Sequence, residues 1–373
     1  MTLKNRMNNF SSALEIKLSK CQSNNFGIDN YDEYRFGKFP TENILWNKIK
    51  RVIKEIIGYK KRQKLNIYRD FITKYDAGLQ RIYEKVNNKG QKILVDLIAY
   101  RLLGYKYVKL PRNNKEYWDA IETGNSLADR NDTYDPHFMH FILHKCDLRK
   151  IGYDIQLYFF AGGVAVDFIM EQYAYKSGGK TIVSVEKGDV VLDLGACWGD
   201  TALYFASKTG EQGKVYSFEF IPDNIKIFNI NISLNPNLIK QIELIRLPVS
   251  NKSSDKIYFI DNGPGSRIEF DPFDGKTGQA TTISIDDFVK KNNLTKIDFI
   301  KMDIEGAEPF ALNGAIETIK KFKPKLAIAI YHSMDDLVNI PKWITELKLG
   351  YKLYLDHYSI HAEETIIFAK VEE

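Results

Sequence analysis

Cysteine is scarce. Cys21, Cys146 and Cys197 are the only three in 373 residues, and none stands in a C-x-x-C spacing. That excludes a disulfide framework, the small secreted folds that depend on one, and a cysteine-based zinc site. Long apolar runs are also missing. No stretch approaches the roughly 18 consecutive apolar residues of a membrane span. The opening segment Met1–Asn30 is polar, rich in Asn, Ser and Lys, and has no apolar core of a secretory signal, so the cytoplasm is the expected location. No internal repeat of solenoid length is present. What remains is a hydrophobic content of 44% and a charged content of 27%, which fits a folded chain rather than a disordered one. The length is greater than one typical domain, so two are expected.

Charge divides the chain. Residues 1–150 carry 29 Lys/Arg against 17 Asp/Glu, a net +12, and residues 151–373 carry 24 against 31, a net −7. Such asymmetry predicts two domains with different tasks, at 1–150 and 151–373. The densest basic run, Lys48 to Lys64, suits an anionic surface such as a lipid-linked saccharide, a membrane leaflet or nucleic acid, or else a solvated helix face. Peripheral membrane contact through the first domain, and homo-oligomerisation, stay open.

The first thirty residues lack a clear period and are expected to fray. From Thr41, a plausible N-cap, Ile44, Leu45, Ile49, Val52, Ile53, Ile56 and Ile57 recur at helical spacing. Further helices are predicted over about 65–86 and over 91–103, the latter stopped by Gly104, so the first domain is mostly helical. YDIQLYFF (153–160) is rich in β-formers, and VAVDFIMEQYAY (164–175) is ambiguous between strand and helix. From Lys187 strands and helices alternate. The strand segments are VVLDLG, KVYSFEF, IELIRLPVS, IDFIKMD and KLAIAIYH, with hairpin material between residues 255 and 283 and a closing pair at YKLYLDHYS and EETIIFAKV. PFALNGAIETIKKF reads as one helix and DDLVNIPKWITELKLG as another, interrupted by Pro341. This alternation predicts an α/β sandwich around a mostly parallel sheet, with ligands at the carboxyl ends of its strands.

The strongest local signal is VVLDLGACWGDTAL, in which Asp193, Gly195 and Gly199 form D-x-G-x-x-x-G at the end of the first of these strands. Gly195 lets a ligand lie against the main chain, and Asp193 can hold turn amides or a ligand ammonium. The dinucleotide pattern G-x-G-x-x-G and the phosphate loop G-x-x-x-x-G-K-[ST] are both missing, and a carboxylate repels pyrophosphate. KVYSFEF ends at Glu219, a position suited to a ribose diol and about 20 residues beyond the glycine turn. Together these residues describe a pocket for a nucleoside without phosphates and with a positive end, and S-adenosylmethionine (SAM) is such a ligand. The competing reading is an ordinary strand-to-helix turn.

These blocks resemble the class I SAM-dependent methyltransferases and, more narrowly, the FkbM methyltransferase family. The resemblance rests on VVLDLGACWGDTAL, KVYSFEFIPDNIKIFNINISLN, TTISIDDFVKKNNLTKIDFIKMDIEGAE and YKLYLDHYSIHAEETIIFA, in that order, and covers about residues 150–373. It implies a Rossmann-like, seven-stranded, mostly parallel sheet sandwiched by helices and preceded by a mostly helical N-terminal domain. It also implies O-methylation of a sugar hydroxyl in a glycan, glycolipid or glycosylated metabolite. Carried over by residue, Asp193, Gly195, Ala196 and Gly199 line the methionine end of SAM, with Asp200 opening the helix beside them. Glu219 binds the ribose, Val249 and Ser250 border the adenine, Tyr173 caps the SAM carboxylate, and Asp303 faces the reaction centre.

Methyl transfer to a sugar hydroxyl gains from alignment and from a base. The candidates at strand ends are Asp303, Glu305 and His332. His332 is favoured as the base or the hydroxyl-orienting group, with Asp303 positioning the acceptor or the SAM ammonium. The plainer readings make Asp303 and Glu305 helix caps and His332 a core residue; Glu308 is assigned to its helix N-terminus, and His357 and His361 either border the acceptor pocket or, by preference, lie at the surface. Asp303, Glu305 and Asp335 offer a low-ranked Mg²⁺ site. His137, His140 and His144 share a face only if their segment is helical, and the apolar residues between them favour packing over zinc. The rival functions are RNA or protein methylation, made less attractive by the lack of an N-P-P-[YF] segment, and a non-catalytic scaffold working through the basic first domain. A nucleic-acid partner is therefore not expected.

Overall fold

The computed structural model describes residues 9–21, 27–31, 33, 37–39 and 59–372. They fall into two compact units, one formed by Met1–Asn113 with Ile360–Ala362, the other by Asn114–Ser359 with Glu363–Glu373. The helix expected from Thr41 to Ile57, and the basic run as far as Gly58, lie outside the described residues.

The first unit is helical, as its periodicity implies. Among the described residues its α-helices are Asn9–Lys20, Tyr59–Lys85 and Asn88–Leu103. The last is capped by the Asn87 side chain, which accepts from the Gly90 N–H, and stopped by Gly104 at φ 81°. Residues 9–20 correct the expectation that the first thirty fray. Phe10 and Leu14 are fully buried, the Phe10 N–H donates to Gln80 Oε1 at 2.8 Å, and Lys17 pairs with Asp96 at 2.6 Å. Two apolar side chains per three turns suffice to dock a helix whose local propensity is weak.

The second unit starts at Asn114, ahead of the expected boundary at 150. Asn114 caps the helix Lys115–Leu127, and a three-stranded antiparallel sheet follows from Ala128–Tyr134, Leu143–Asp147 and Gln156–Phe159. That sheet is tied to later chain: Asn235 and Asn231 accept from the N–H groups of Gln156 and Tyr158 at 2.9 and 2.7 Å. The ambiguous segment resolves into a π-helical turn, Val164–Ile169, followed by the short strand Tyr175–Ser177.

The central sheet has seven strands: β1 Val190–Leu194, β2 Lys214–Phe218, β3 Ile242–Ile245, β4 Phe299–Met302, β5 Lys325–Ala329, β6 Tyr351–His357 and β7 Thr365–Val371. Their spatial order is β6-β7-β5-β4-β1-β2-β3, with β7 antiparallel to both neighbours and the other pairs parallel. The order reverses between β1 and β4, which is where an open sheet of this type leaves a crevice. The hairpin material forms a separate antiparallel sheet, Arg267–Glu269, Lys256–Ile260 and Gly278–Thr281.

Two helix expectations are corrected. PFALNGAIETIKKF is two helices, Glu308–Asn313 and Ile316–Phe322. The break falls at Gly314, where a Cβ would lie 2.2 Å from the Ser250 carbonyl oxygen. Met334–Glu346, by contrast, runs through Pro341 without a stop. Among the described residues no helix is long and apolar enough to cross a membrane.

Docking of the first helix predicts that Leu14→Ala destabilises the first unit by about 2–5 kcal/mol, the cost of emptying a buried leucine site. Urea unfolding followed by hydrogen exchange over residues 9–20 measures it, and a loss below about 0.5 kcal/mol, typical of a surface change, would mean the helix is not docked.

Candidate active site

The glycine turn is held between neighbouring strand ends. Gly195, at φ 83°, and Ala196 both donate from their N–H groups to the Phe218 carbonyl at 3.0 Å. A Cβ on Gly195 would stand 1.9 Å from the Asp303 carbonyl oxygen, so glycine is demanded by contact with the end of β4 as well as by φ. Ala196 is buried with Ala202 and Phe228, and Gly199, at φ 86°, opens the helix Asp200–Thr209. The Trp198 indole is buried edge-on against Phe159, centroids 6.2 Å apart, while burial pushes the Cys197 thiol well up.

Strand register builds the polar centre. Asp193 on β1 lies opposite Ser217 on β2 and Lys301 on β4. The Asp193 carboxylate, fully buried, accepts from Thr201 Oγ1 at 3.0 and 3.1 Å and from Ser217 Oγ at 3.2 Å, and it pairs with Lys301 Nζ at 3.3 Å. Lys301 Nζ also donates to the carbonyls of Gly195 at 2.6 Å and Leu194 at 3.3 Å. Burial opposes its charge, but Asp193, Asp303 and Asp200 raise Lys301 above the ordinary lysine value. The expectation that Asp193 holds a ligand ammonium is thereby corrected: its oxygens are occupied, and it acts on the turn through Lys301 and Thr201.

Asp200 is buried beside Asp167 of the π-helical turn, to which it is hydrogen-bonded. Burial raises Asp200 to about 6 and Asp167 well above the carboxylate range. At the end of β2, burial raises Glu219 to about 7 although it accepts from the N–H groups of Phe220 at 2.7 Å and Ile221 at 2.8 Å and from Asn224 Nδ2 at 3.1 Å. Past β3, Val249 bridges to Ile283, and buried Ser250 donates its N–H to the Ile283 carbonyl at 3.1 Å.

Beyond β4, Asp303 accepts from Tyr173 Oη at 3.1 Å and from Tyr331 Oη at 3.0 and 3.1 Å. Tyr173 is thus engaged by Asp303 rather than set aside to cap a ligand carboxylate. Against the pull of burial, His332, Lys301 and Tyr331 keep Asp303 below its ordinary value. His332 Nε2 stands 3.4 Å from Asp303 and 3.7 Å from Glu305, and its Nδ1 stands 3.2 Å from buried Glu308. Burial would lower its pKa, yet Asp303 and Glu308 lift it to about 11. A pKa raised in this way favours, of the two roles expected for His332, the orienting one over that of base. Partial desolvation by the surrounding protein raises Glu305 to about 7 against the pull of His332, with Asp303 and Glu308 adding to the rise.

The helix-cap readings fail for Asp303 and Glu305, because Glu308–Asn313 starts without a side-chain cap, whereas Glu308 accepts from the Ile304 N–H at 2.8 Å, as its assignment to the helix start implies. Asp335 does not join the acidic group: among the described residues, the three side chains brought within 4.8 Å as a potential metal set are Asp303, Glu305 and His332. The histidines near 140 do not share a helix face; His137 and Met139 sit at φ 54° and 50°, and His144 is in a strand. His357 and His361, assigned to the surface, are buried, and His357 Nδ1 lies 3.0 Å from Thr365 Oγ1. Lys301, Asp167 and Tyr331 escaped the sequence reading. A lysine inside FIKM and an aspartate inside VAVDFI, both in apolar runs, were the available signals.

The model of the methyltransferase FkbM domain matches residues 193–353, which spans the turn, Glu219, Asp303 and His332. Residues 193–353 carry a methyltransferase FkbM domain. The crystal structure of methyltransferase FkbM from Methylobacillus flagellatus KT matches with a TM-score of 0.51 at 17% identity, covering 80% of this chain and 60% of that one. This chain therefore spans less than two thirds of that relative, and likeness at this identity is a likeness of fold. A SAM-dependent O-methyltransferase from Thermotoga maritima (TM-score 0.32, 17% identity, 51% of this chain and 62% of that one) is more distant. So is Aeropyrum pernix fibrillarin in complex with natively bound S-adenosyl-L-methionine (0.31, 14%, 61% and 88%). No curated protein matches the chain.

Two predictions follow from the FkbM-domain site. Lys301→Met leaves Asp193 buried without its cation and should cost about 3–5 kcal/mol in urea unfolding. Glu219, raised to about 7, binds more protons folded than unfolded, so the stability it contributes at low pH is lost as pH rises from about 4 to 7. Glu219→Gln should therefore be more favourable relative to the parent at pH 8 than at pH 4; thermal melts at both pH values check the sign.

Proposed function

We propose that the FkbM domain transfers the methyl group of SAM to a hydroxyl of a sugar in a glycan, glycolipid or glycosylated metabolite. One observation supports a cationic ligand above the rest. Asp167, Asp200 and Glu219 are buried around the ends of β1 and β2, where, among the described residues, the buried cation is Lys301, already paired with Asp193. Enclosing carboxyl groups without counter-charges is costly, and the raised pKa values of Asp167, Asp200 and Glu219 express that cost. A donor with a sulfonium and an ammonium group relieves it, which a nucleotide phosphate would not.

In this reading Glu219 takes the ribose hydroxyls and the loop at Val249 and Ser250 borders the adenine. The Gly195–Gly199 turn holds the methionine chain, with Asp200 and Asp167 nearest its ammonium. SAM supplies an activated methyl group: the O–C bond forms as the S–C bond breaks, and the electron pair goes to sulfur. The residues past β4 and β5 serve the acceptor. Protonated His332 donates to a sugar oxygen, Asp303 accepts from a neighbouring hydroxyl, and Glu305, near pH neutrality and half-exposed, is placed to receive the proton that leaves. Alignment of acceptor, methyl and sulfur is worth up to about 7–11 kcal/mol in such a site.

Calorimetry of the purified chain with SAM should show one binding event, strongly weakened in Glu219→Ala. Mass spectrometry of surface glycans should show one CH2 unit missing per acceptor in cells that lack the gene. Binding without any glycan change would instead favour RNA, protein or another acceptor, and no binding would favour a scaffold.

A further inference from the structure

The acceptor side carries more than a methyl transfer to a hydroxyl requires. Asp303 and Glu305 project from the turn after β4, and His332 from the segment after β5, and one ligand atom of each lies within 4.8 Å of the other two. His332 is nine-tenths buried, and neither ring nitrogen has an aligned hydrogen-bond partner, although carboxylate oxygens surround it. A buried donor left so is costly unless something else engages it. The separations from Nε2, 3.4 Å to Asp303 and 3.7 Å to Glu305, are long for charge-assisted hydrogen bonds. They are close to the edges of a coordination shell: ligands about 2.0–2.2 Å from one ion stand roughly 3.0–3.5 Å apart.

From this juxtaposition we propose that Asp303, Glu305 and His332 bind a first-row divalent transition-metal ion. The donor set decides the class. Two carboxylates and an imidazole suit manganese, iron, cobalt or zinc, whereas Mg²⁺ prefers oxygen donors and retained water. Outer support is present. Glu308, fully buried, stands 3.2 Å from the other ring nitrogen of His332, and the Tyr173 and Tyr331 hydroxyls donate to Asp303. Metal-binding histidines and carboxylates are ordinarily oriented in this way. Glu305 is half-exposed, so the site opens to solvent on its side and keeps positions for water or an acceptor oxygen. Binding would displace the proton from His332 Nε2, and, resting on the methyl-transfer reading, the ion would hold the sugar hydroxyl and lower its pKa, the hydroxyl proton leaving to solvent on the open side instead of to Glu305.

The test is a titration of the chelator-treated full chain with Mn²⁺ without SAM, followed by the electron paramagnetic resonance signal of the free ion. One Mn²⁺ should bind per chain, an equal concentration of Mg²⁺ should not displace it, and Glu305→Gln and His332→Asn should each weaken it about ten-fold or more. Because Glu305 is half-exposed, Glu305→Gln keeps the test valid if His332→Asn fails to fold. Failure of Mn²⁺ to bind, or binding unchanged in Glu305→Gln, overturns the site. SAM calorimetry on the same metal-free protein separates the two readings: lost SAM binding with Mn²⁺ retained defeats the methyl-transfer reading, and the reverse defeats the metal.

Discussion

The Asp193–Lys301 pair, sealed between β1 and β4, governs the ligand-facing end of the sheet. Parallel register brings the two residues side by side, and nearly complete burial removes both from water. Such a pair returns its desolvation cost only when every remaining donor and acceptor is satisfied. Thr201 and Ser217 complete the carboxylate, and the Leu194 and Gly195 carbonyls complete the ammonium. The turn is therefore defined from beneath by its own strand and the next. Gly195 must be glycine because the end of β4 presses against it.

That arrangement separates two chemistries at one sheet edge. On the β1–β2–β3 side, buried carboxyl groups with raised pKa values create a demand for positive charge. On the β4–β5 side, Asp303 stays ionised among two tyrosine hydroxyls and an imidazolium. Lys301 belongs to both, since it pairs with Asp193 and also lowers the pKa of Asp303.

Much of this is legible in the sequence. The alternation of strand and helix, the glycine turn, Glu219 at the end of its strand and the K-M-D-I-E-G-A-E block all sit where periodicity and motif placed them. The misses have physical causes. The helix at residues 9–20 is weakly periodic and owes its place to Phe10 and Leu14 docking, a long-range effect. The unit boundary lies at Asn114 because Ala128–Tyr134 and Leu143–Asp147 pair into one antiparallel sheet with Gln156–Phe159, whose Gln156 and Tyr158 N–H groups donate to Asn235 and Asn231. The break at Gly314 comes from the Ser250 backbone, more than sixty residues away in the chain and invisible to local propensity.

Residue types and spacing by themselves determined the α/β class, the helical start, the family resemblance and the list of residues at strand ends. Those are properties of periodicity and short motifs, which act over a few neighbouring residues. Tertiary structure alone decided what each group does. Burial and the charges of residues distant in sequence raised the pKa of His332, paired Asp193 with Lys301 and gave Tyr173 to Asp303. A pKa and a hydrogen-bond partner depend on which atoms lie within a few ångströms, and only the folded chain fixes those neighbours.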